Sequence, residues 1–286
     1  MSAKLMNSIT TFFSFKLKFF KSLIRQFFLK FFFGPNVKAL LTTTAFGDML
    51  ISPSDLHVSR QILKSCNYNP DEIIHLKKLV TKKDRLLVVG AHIGSFVIPA
   101  SKLVHDVVAI EANPNNFKLL SMNIALNKLE NINVYNFAAA EKKGTIDFLM
   151  STENSGGSKR KPFLKKNAYY YDNPQAIKVE AYALDKKFNE RFDVVMMDIE
   201  GSEFFAIQGM QRIIKNARVF IFEFIPDHLE SVAHINVNDF VAIIPLRHFK
   251  KAYFPRLDVR VDIDLLEATL NKIITLKTYE DGVVLY

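Results

Sequence analysis

The residues best suited to chemistry are Gly90-Ala91-His92-Ile93-Gly94, which follow an apolar run at 85–90 (RLLVVG) and open a segment of helical spacing. Glycines at 90 and 94 permit a tight turn and a close backbone approach to a ligand. The helix start beyond them offers free amide donors to an anionic group. A G-x-x-x-G turn alone is equally well explained by strand-to-helix packing. Glu111 adds to it, because it ends the next apolar run, 21 residues after Gly90. Nucleotide-binding sheets carry an acid there for the two ribose hydroxyls. The acid disfavours a 2′-phosphorylated nucleotide. NAD fits less well, since its G-x-G-x-x-G fingerprint wants glycine where this chain has His92.

Asp198-Ile199-Glu200-Gly201-Ser202-Glu203 is the third element. It follows a buried-looking run at 193–197 and opens another helix. Its three carboxylates therefore collect at the carboxyl end of a sheet, where α/β proteins bind ligands. Helix capping accounts for Glu203, whereas Asp198 at a strand end is the better active-site candidate.

These residues need a frame. Residues 70–80 read as a helix, and 85–90 and 106–111 as strands buried on both faces. A helix is expected over 95–104, with Pro99 early enough to be tolerated. Asn113-Pro114 supplies an N-cap and first-turn proline for a helix to about 127. Strands are expected at 132–137, 145–150, 192–197 and 218–224, and a helix at 203–215. This alternation predicts an α/β fold, a mainly parallel sheet with helices on both faces. Residues 151–175 are polar, rich in Lys and Tyr, and include Asn154-Ser155-Gly156-Gly157-Ser158. A loop of that length is usually functional or disordered. After Pro226 mixed helix and short strands follow, with no chemistry-bearing motif and no internal repeat.

The composition, 49% hydrophobic and 23% charged over 286 residues, is that of a globular protein. The single Cys66 cannot form an internal disulfide, which fits a reducing, cytoplasmic location. The seven histidines are scattered without zinc-ligand spacing, so no metal site is expected. The net charge of +9 is local. Seven basic residues and no acidic ones precede Gly47, leaving 31 basic against 29 acidic residues in the body. The core therefore gives no reason to expect nucleic acid as a partner.

Residues 1–33 are distinct. Phe12, Phe13, Leu17, Phe19, Phe20, Leu23, Ile24, Phe27 and Phe31 share one half of a helical wheel, with Lys18, Lys21 and Arg25 opposite. Charges interrupt every apolar run, which argues against a bilayer span or a secretory signal. Gly34-Pro35 ends the helix. The amphipathic helix suits an anionic membrane interface. It also suits packing on the domain or on a second copy in a homo-oligomer. An organellar transit peptide fits less well, with six lysines to one arginine before Gly47.

The segments VVGAHIGSF, AIEANPNNFKLLSMNIALN, FAAAEKKG, VMMDIEGSEFFAIQGM and FIFEF, in that order, resemble the FkbM-type methyltransferases over about residues 70–225. The resemblance implies a Rossmann-like methyltransferase sandwich binding S-adenosylmethionine. Its cofactor would lie along Gly90, Ala91, His92 and Gly94, with the ribose on Glu111. The adenine would lie near Ala112, Asn113 and the strand end from Ala138 to Glu141, and Asp198 would border the cofactor. The chain would then divide into the basic helix (1–35), a lead-in (36–69), the cofactor-binding core (70–225) and an extension completing the domain (226–286). Val88, His92, Ala112 and Met196 depart from the family's usual Asp, Asn, Pro and Lys. Leu184-Asp185 matches its Leu-Asp.

The implied activity is O-methylation of a sugar-like or other small acceptor. Asp198, then Glu200 and Glu223, are the candidate bases, because a hydroxyl is a poor nucleophile. The 151–175 segment, with Tyr169, Tyr170 and Tyr171, would cover the acceptor unless those tyrosines form a packing ridge. Two rivals share these features: a nucleotide-dependent oxidoreductase, and a non-catalytic membrane-associated scaffold with a degraded cofactor site.

Overall fold

The computed structural model describes residues 36–286 together with Phe20, Lys21, Ile24, Phe27, Phe28, Phe31, Phe32 and Gly34. The amphipathic helix expected over 1–35 thus lies largely outside the described residues. Those described between 20 and 32 are helical and exposed, and Phe28 stacks on Phe32. Among the described residues no helix is long and apolar enough to cross a membrane.

The lead-in forms a hairpin, β1 (Leu40–Thr44) and β2 (Gly47–Ile51), followed by helices α1 (Val58–Ser65) and α2 (Pro70–Leu79). Pro70 stands in the first turn of α2, where its missing N–H would have had no helical partner. Next come β3 (Arg85–Val89), α3 (Val97–Ser101), β4 (Asp106–Ile110), α4 (Pro114–Leu126) and β5 (Ile132–Tyr135). Asn113 caps α4 by accepting from the Asn115 N–H (3.0 Å). A second group of strands comprises β6 (Ala138–Ala139), β7 (Gly144–Met150), β8 (Lys159–Arg160) and β9 (Gln175–Tyr182). The chain then returns through α5 (Leu184–Lys187), β10 (Val194–Met197), α6 (Glu203–Gln208), α7 (Gln211–Asn216) and β11 (Val219–Phe224). It finishes with α8 (Pro226–His228), a π-helical turn (Leu229–Ala233), α9 (Val237–Ala242), β12 (Lys251–Phe254), β13 (Val259–Asp262), α10 (Leu266–Thr275) and β14 (Glu280–Leu285).

Eight strands make the main sheet, in the order β13-β12-β14-β11-β10-β3-β4-β5. β11 through β5 are parallel, while β14 runs antiparallel between β11 and β12. Successive side chains of a strand point to opposite faces. Leu87 and Val89 of β3 therefore join one core, with Phe220 and Phe222, while Leu86 and Val88 join the other, with Leu76, Val97 and Leu120. Helices cover both faces, so the core strands are apolar throughout. The lead-in is fastened to this body by Asn123 of α4, which is fully buried. It accepts from the Leu50 N–H (2.6 Å) and donates to the carbonyls of Leu50 (3.0 Å) and Ile93 (2.9 Å).

Three expectations change. The strand expected at 145–150 forms, but in a separate four-stranded sheet ordered β6-β9-β7-β8. The 151–175 segment is not an open loop. β8 pairs with β7, and the Asp172 carboxylate accepts from the Thr152 and Glu153 N–H groups (2.7 and 3.0 Å). The helix expected at 203–215 breaks into α6 and α7 at Gly209, where a Cβ would stand 2.0 Å from the Ala140 carbonyl oxygen. Backbone approaches backbone too closely there for a side chain.

From β3 the chain steps outward to β4 and β5, and from β10 it steps the other way to β11. The crevice between the carboxyl ends of β3 and β10 is thus a topological switch point, where open α/β sheets bind ligands.

Candidate active site

The glycine turn leaves β3 at this crevice. Gly90 adopts φ +94°, and a Cβ on it would stand 1.8 Å from the Asp198 carbonyl oxygen, so the turns after β3 and β10 touch. His92 also takes a left-handed conformation (φ 50°), which turns its backbone N–H onto Glu111 Oε2 (2.7 Å). Glu111 Oε1 accepts the Asn113 N–H (2.7 Å). The carboxylate is therefore fixed by two backbone donors, one on each oxygen, and the Asn116 side chain and the Ala112 N–H are also directed at it. Burial raises its pKa to about 7 against the pull of those hydrogen bonds.

The His92 side chain closes a chain of polar contacts. Ser155 Oγ donates to Asp55 Oδ2, which commits its only proton, so His92 Nε2 must donate to Ser155 Oγ (2.7 Å). Asp55 is held by the N–H groups of His57 and Val58 (2.8 and 2.9 Å). Asn116 Nδ2 donates to the Ser155 carbonyl (3.0 Å), and Asn113 Nδ2 to Ser158 Oγ (3.1 Å). The lead-in, the glycine turn and the 151–158 stretch thus enclose one cleft of about 290 Å³. Burial pushes the His92 pKa down to about 4, so the imidazole is neutral at pH 7.

Of the residues expected at the cofactor, Gly90, Ala91, His92, Glu111, Ala112, Ala138 and Asp198 line the cleft. Gly94, Asn113 and Glu141 stand behind it. Gly94 packs where a Cβ would meet Leu120, Asn113 caps α4, and Glu141 pairs with Arg160 (3.4 Å), which itself lines the wall. Part of the lining is acidic, with Glu72, Asp198 and Glu200 near Tyr68. Burial, then the charge of Glu200, then that of Glu72, hold the Asp198 carboxyl well above its usual range. Glu203, in the first turn of α6, accepts the Ile199 N–H (2.9 Å) and supports the turn before the helix.

Glu200 and Glu223 belong to a second layer of contacts. Lys159 Nζ donates to Glu200 Oε2 (2.9 Å) and to His228 Nε2 (3.3 Å), and His228 Nδ1 lies 3.8 Å from Glu223 Oε2. Glu200 lines the cleft, whereas Glu223 stands behind it against His228. The tyrosines expected over the acceptor do not line the cleft. Tyr169 packs under Lys159 (4.8 Å) and donates to Asp227 (2.5 Å), and Tyr170 sits under Lys165 (5.5 Å). Asn154, Ser155, Gly156, Ser158 and Arg160 form that wall instead.

Sequence reasoning missed Asp55, Tyr68, Glu72, Asn116, Lys159, Arg160 and His228. Only Ser155 and Ser158, inside the Asn-Ser-Gly-Gly-Ser turn, carried a local signal.

The sequence model of the family described as Methyltransferase FkbM domain matches residues 89–251, more than half of the chain. No curated protein matches. Among solved structures, the chain is similar to the methyltransferase FkbM from Methylobacillus flagellatus KT, with 15% identity and a TM-score of 0.43. That match covers 72% of this chain and 44% of the other. It is also similar to the M. jannaschii tRNA m1G37 methyltransferase (16%, TM-score 0.37, covering 66% and 44%). A third is M. jannaschii TYW2 in complex with AdoMet (16%, TM-score 0.39, covering 66% and 63%). The chain spans less than two thirds of the length of each of these.

Proposed function

Because the chain belongs to the FkbM methyltransferase domain family, we propose that it methylates an oxygen on a small, sugar-like acceptor. S-adenosylmethionine is the family's cofactor, and when bound it supplies an electrophilic methyl group. The residues fit it. Glu111, held by backbone donors at the cleft, presents a carboxylate that can accept from the two ribose hydroxyls. Gly90 and Ala91 bring bare backbone to the crevice, and Phe137, Ala138 and Ile146 give an apolar wall suited to a purine.

The observation that carries the reading is Asp198 at the switch point, half-buried beside Glu72 and Glu200 in the cleft that Glu111 also lines. A carboxylate whose pKa is pushed upward is a better proton acceptor near neutral pH. Asp198 accepts the acceptor hydroxyl's proton as its oxygen becomes nucleophilic. Glu200, braced by Lys159, orients a neighbouring hydroxyl. The acidic lining repels phosphate, which favours a neutral, hydroxyl-bearing acceptor over nucleic acid. Orientation of this kind contributes on the order of 7–11 kcal/mol to a displacement. Methyl transfer from labelled S-adenosylmethionine should therefore be measured against neutral glycosides, sugar phosphates and tRNA. Transfer to tRNA or to sugar phosphates in preference to neutral glycosides would overturn the acceptor class.

A further inference from the structure

Behind the cleft wall, Glu200 on the turn after β10, Glu223 on β11 and His228 at the end of α8 each place one ligand atom within 4.8 Å of the other two. Two of these atoms are buried without any hydrogen-bond partner, Glu223 Oε2 and His228 Nδ1, and they face each other at 3.8 Å. The His228 side chain is only 9% accessible, so solvent does not satisfy it. His228 Nε2 lies 3.6 Å from Glu200 Oε2 on the other edge of the ring. Ligands around a zinc-sized ion with bonds of about 2.0–2.2 Å stand about 3–3.5 Å apart. His228 ligates through one ring nitrogen only, and the three donor atoms, within 4.8 Å of one another, would draw together around such an ion.

One cation is already present. Lys159 Nζ bonds Glu200 Oε2 and His228 Nε2, and it also lies over the Tyr169 ring at 4.8 Å. The ammonium satisfies Glu200 but leaves Glu223 Oε2 and His228 Nδ1 unpaired. It sits on a flexible stem with an aromatic seat beside it. A lysine so placed can yield to a more highly charged ion, and a structural ion pair would not require the unpaired acid and imidazole.

We propose that Glu200, Glu223 and His228 bind one divalent transition-metal ion, with the Lys159 ammonium holding Glu200 in its absence. One imidazole with two carboxylates suits Zn²⁺, Mn²⁺ or Co²⁺ better than Mg²⁺, which prefers an all-oxygen shell. Because Glu200 also lines the cleft, the ion would border the end assigned to the acceptor. The inference goes beyond methyl transfer and does not depend on it.

The test is a titration of the full chain, stripped with chelator, with Co²⁺ followed by its visible absorption and by competition with Zn²⁺ and Mg²⁺. One equivalent of Co²⁺ should bind, with Zn²⁺ displacing it and Mg²⁺ failing to. His228→Ala and Glu223→Gln should each weaken binding by about tenfold or more. Lys159→Met should tighten it, because the internal competitor is gone. Circular dichroism and thermal melting of each variant separate loss of a ligand from loss of the fold. Two results overturn the proposal: no saturable Co²⁺ binding in either the wild type or Lys159→Met, or binding undiminished in folded Glu223→Gln and His228→Ala.

Discussion

Glu111→Gln tests the ribose assignment most directly, because the geometry predicts both its sign and its size. Each Glu111 oxygen already accepts one backbone N–H, at 2.7 Å from His92 and 2.7 Å from Asn113. A glutamine must turn its NH₂ toward one of those donors, so one backbone N–H loses its acceptor whichever way the amide flips. The two ribose hydroxyls then meet a neutral amide in place of a charged carboxylate. Hydrogen bonds to a charged group contribute about 1.5–3 kcal/mol each. Losing two weakens cofactor binding by about 3–6 kcal/mol, or on the order of 10²–10⁴-fold. The same carboxyl carries a pH signature. Its folded pKa of about 7 lies above the ordinary 4.5. In the free protein its burial therefore opposes folding above 4.5, and stability falls as pH rises toward 7, by on the order of 3 kcal/mol at full shift. Ribose hydroxyls favour the ionised form, so affinity for S-adenosylhomocysteine should rise with pH through that window and level off above it. Calorimetry at pH 5.5, 6.5, 7.5 and 8.5 measures both effects. Wild-type affinity that is flat with pH, or a Glu111→Gln affinity within about threefold of wild type, would refute the assignment.

Asp198→Asn should lower turnover by about 10²–10⁴-fold while leaving S-adenosylhomocysteine affinity nearly unchanged. Parallel losses of both would make Asp198 a structural residue. Asn123→Leu leaves the Leu50 N–H and the Leu50 and Ile93 carbonyls without their buried partner. At about 1–3 kcal/mol for each stranded group, urea denaturation should show a loss of about 3 kcal/mol or more, and a loss under about 1 kcal/mol would show that water replaces the amide. Residues 1–33 carry six basic side chains and no acid, and the rings of Phe27, Phe31 and Phe32 are exposed. Full-length protein should co-sediment with anionic vesicles and lose this on removal of 1–33, with salt weakening it only in part. Dimerisation that depends on the same segment, without vesicle binding, would mark it as an interface instead.

The parts of the fold that were legible share one cause. A parallel strand covered on both faces must be apolar throughout, which is why RLLVVG, DVVAIE and the runs before Asp198 and at 218–224 stand out. Asn113-Pro114 marks a helix start because capping chemistry is local. Glu111 and Asp198 could be placed because each is the first polar residue after such a strand. The second sheet was harder to read. β9 alternates exposed and buried positions only loosely, and its pairing with β7 spans the 151–175 segment. The break between α6 and α7 arises from close packing of Gly209 on Ala140, a contact between residues far apart in sequence. Lys159 and His228 carried no signal for the same reason. Each enters the site by tertiary placement, one on a two-residue strand and the other just beyond Pro226.

The position of β14 has a consequence for how the chain is made. This strand, Glu280–Leu285, lies inside the main sheet between β11 and β12. On a ribosome, β3, β4, β10 and β11 emerge long before it. Until residue 285 clears the exit tunnel, the β11 edge stays unpaired, carrying Phe220, Phe222 and Phe224 on an open ladder. Such an edge is a template for pairing with other chains. Cuts before residue 280 should therefore harm solubility more than their length suggests.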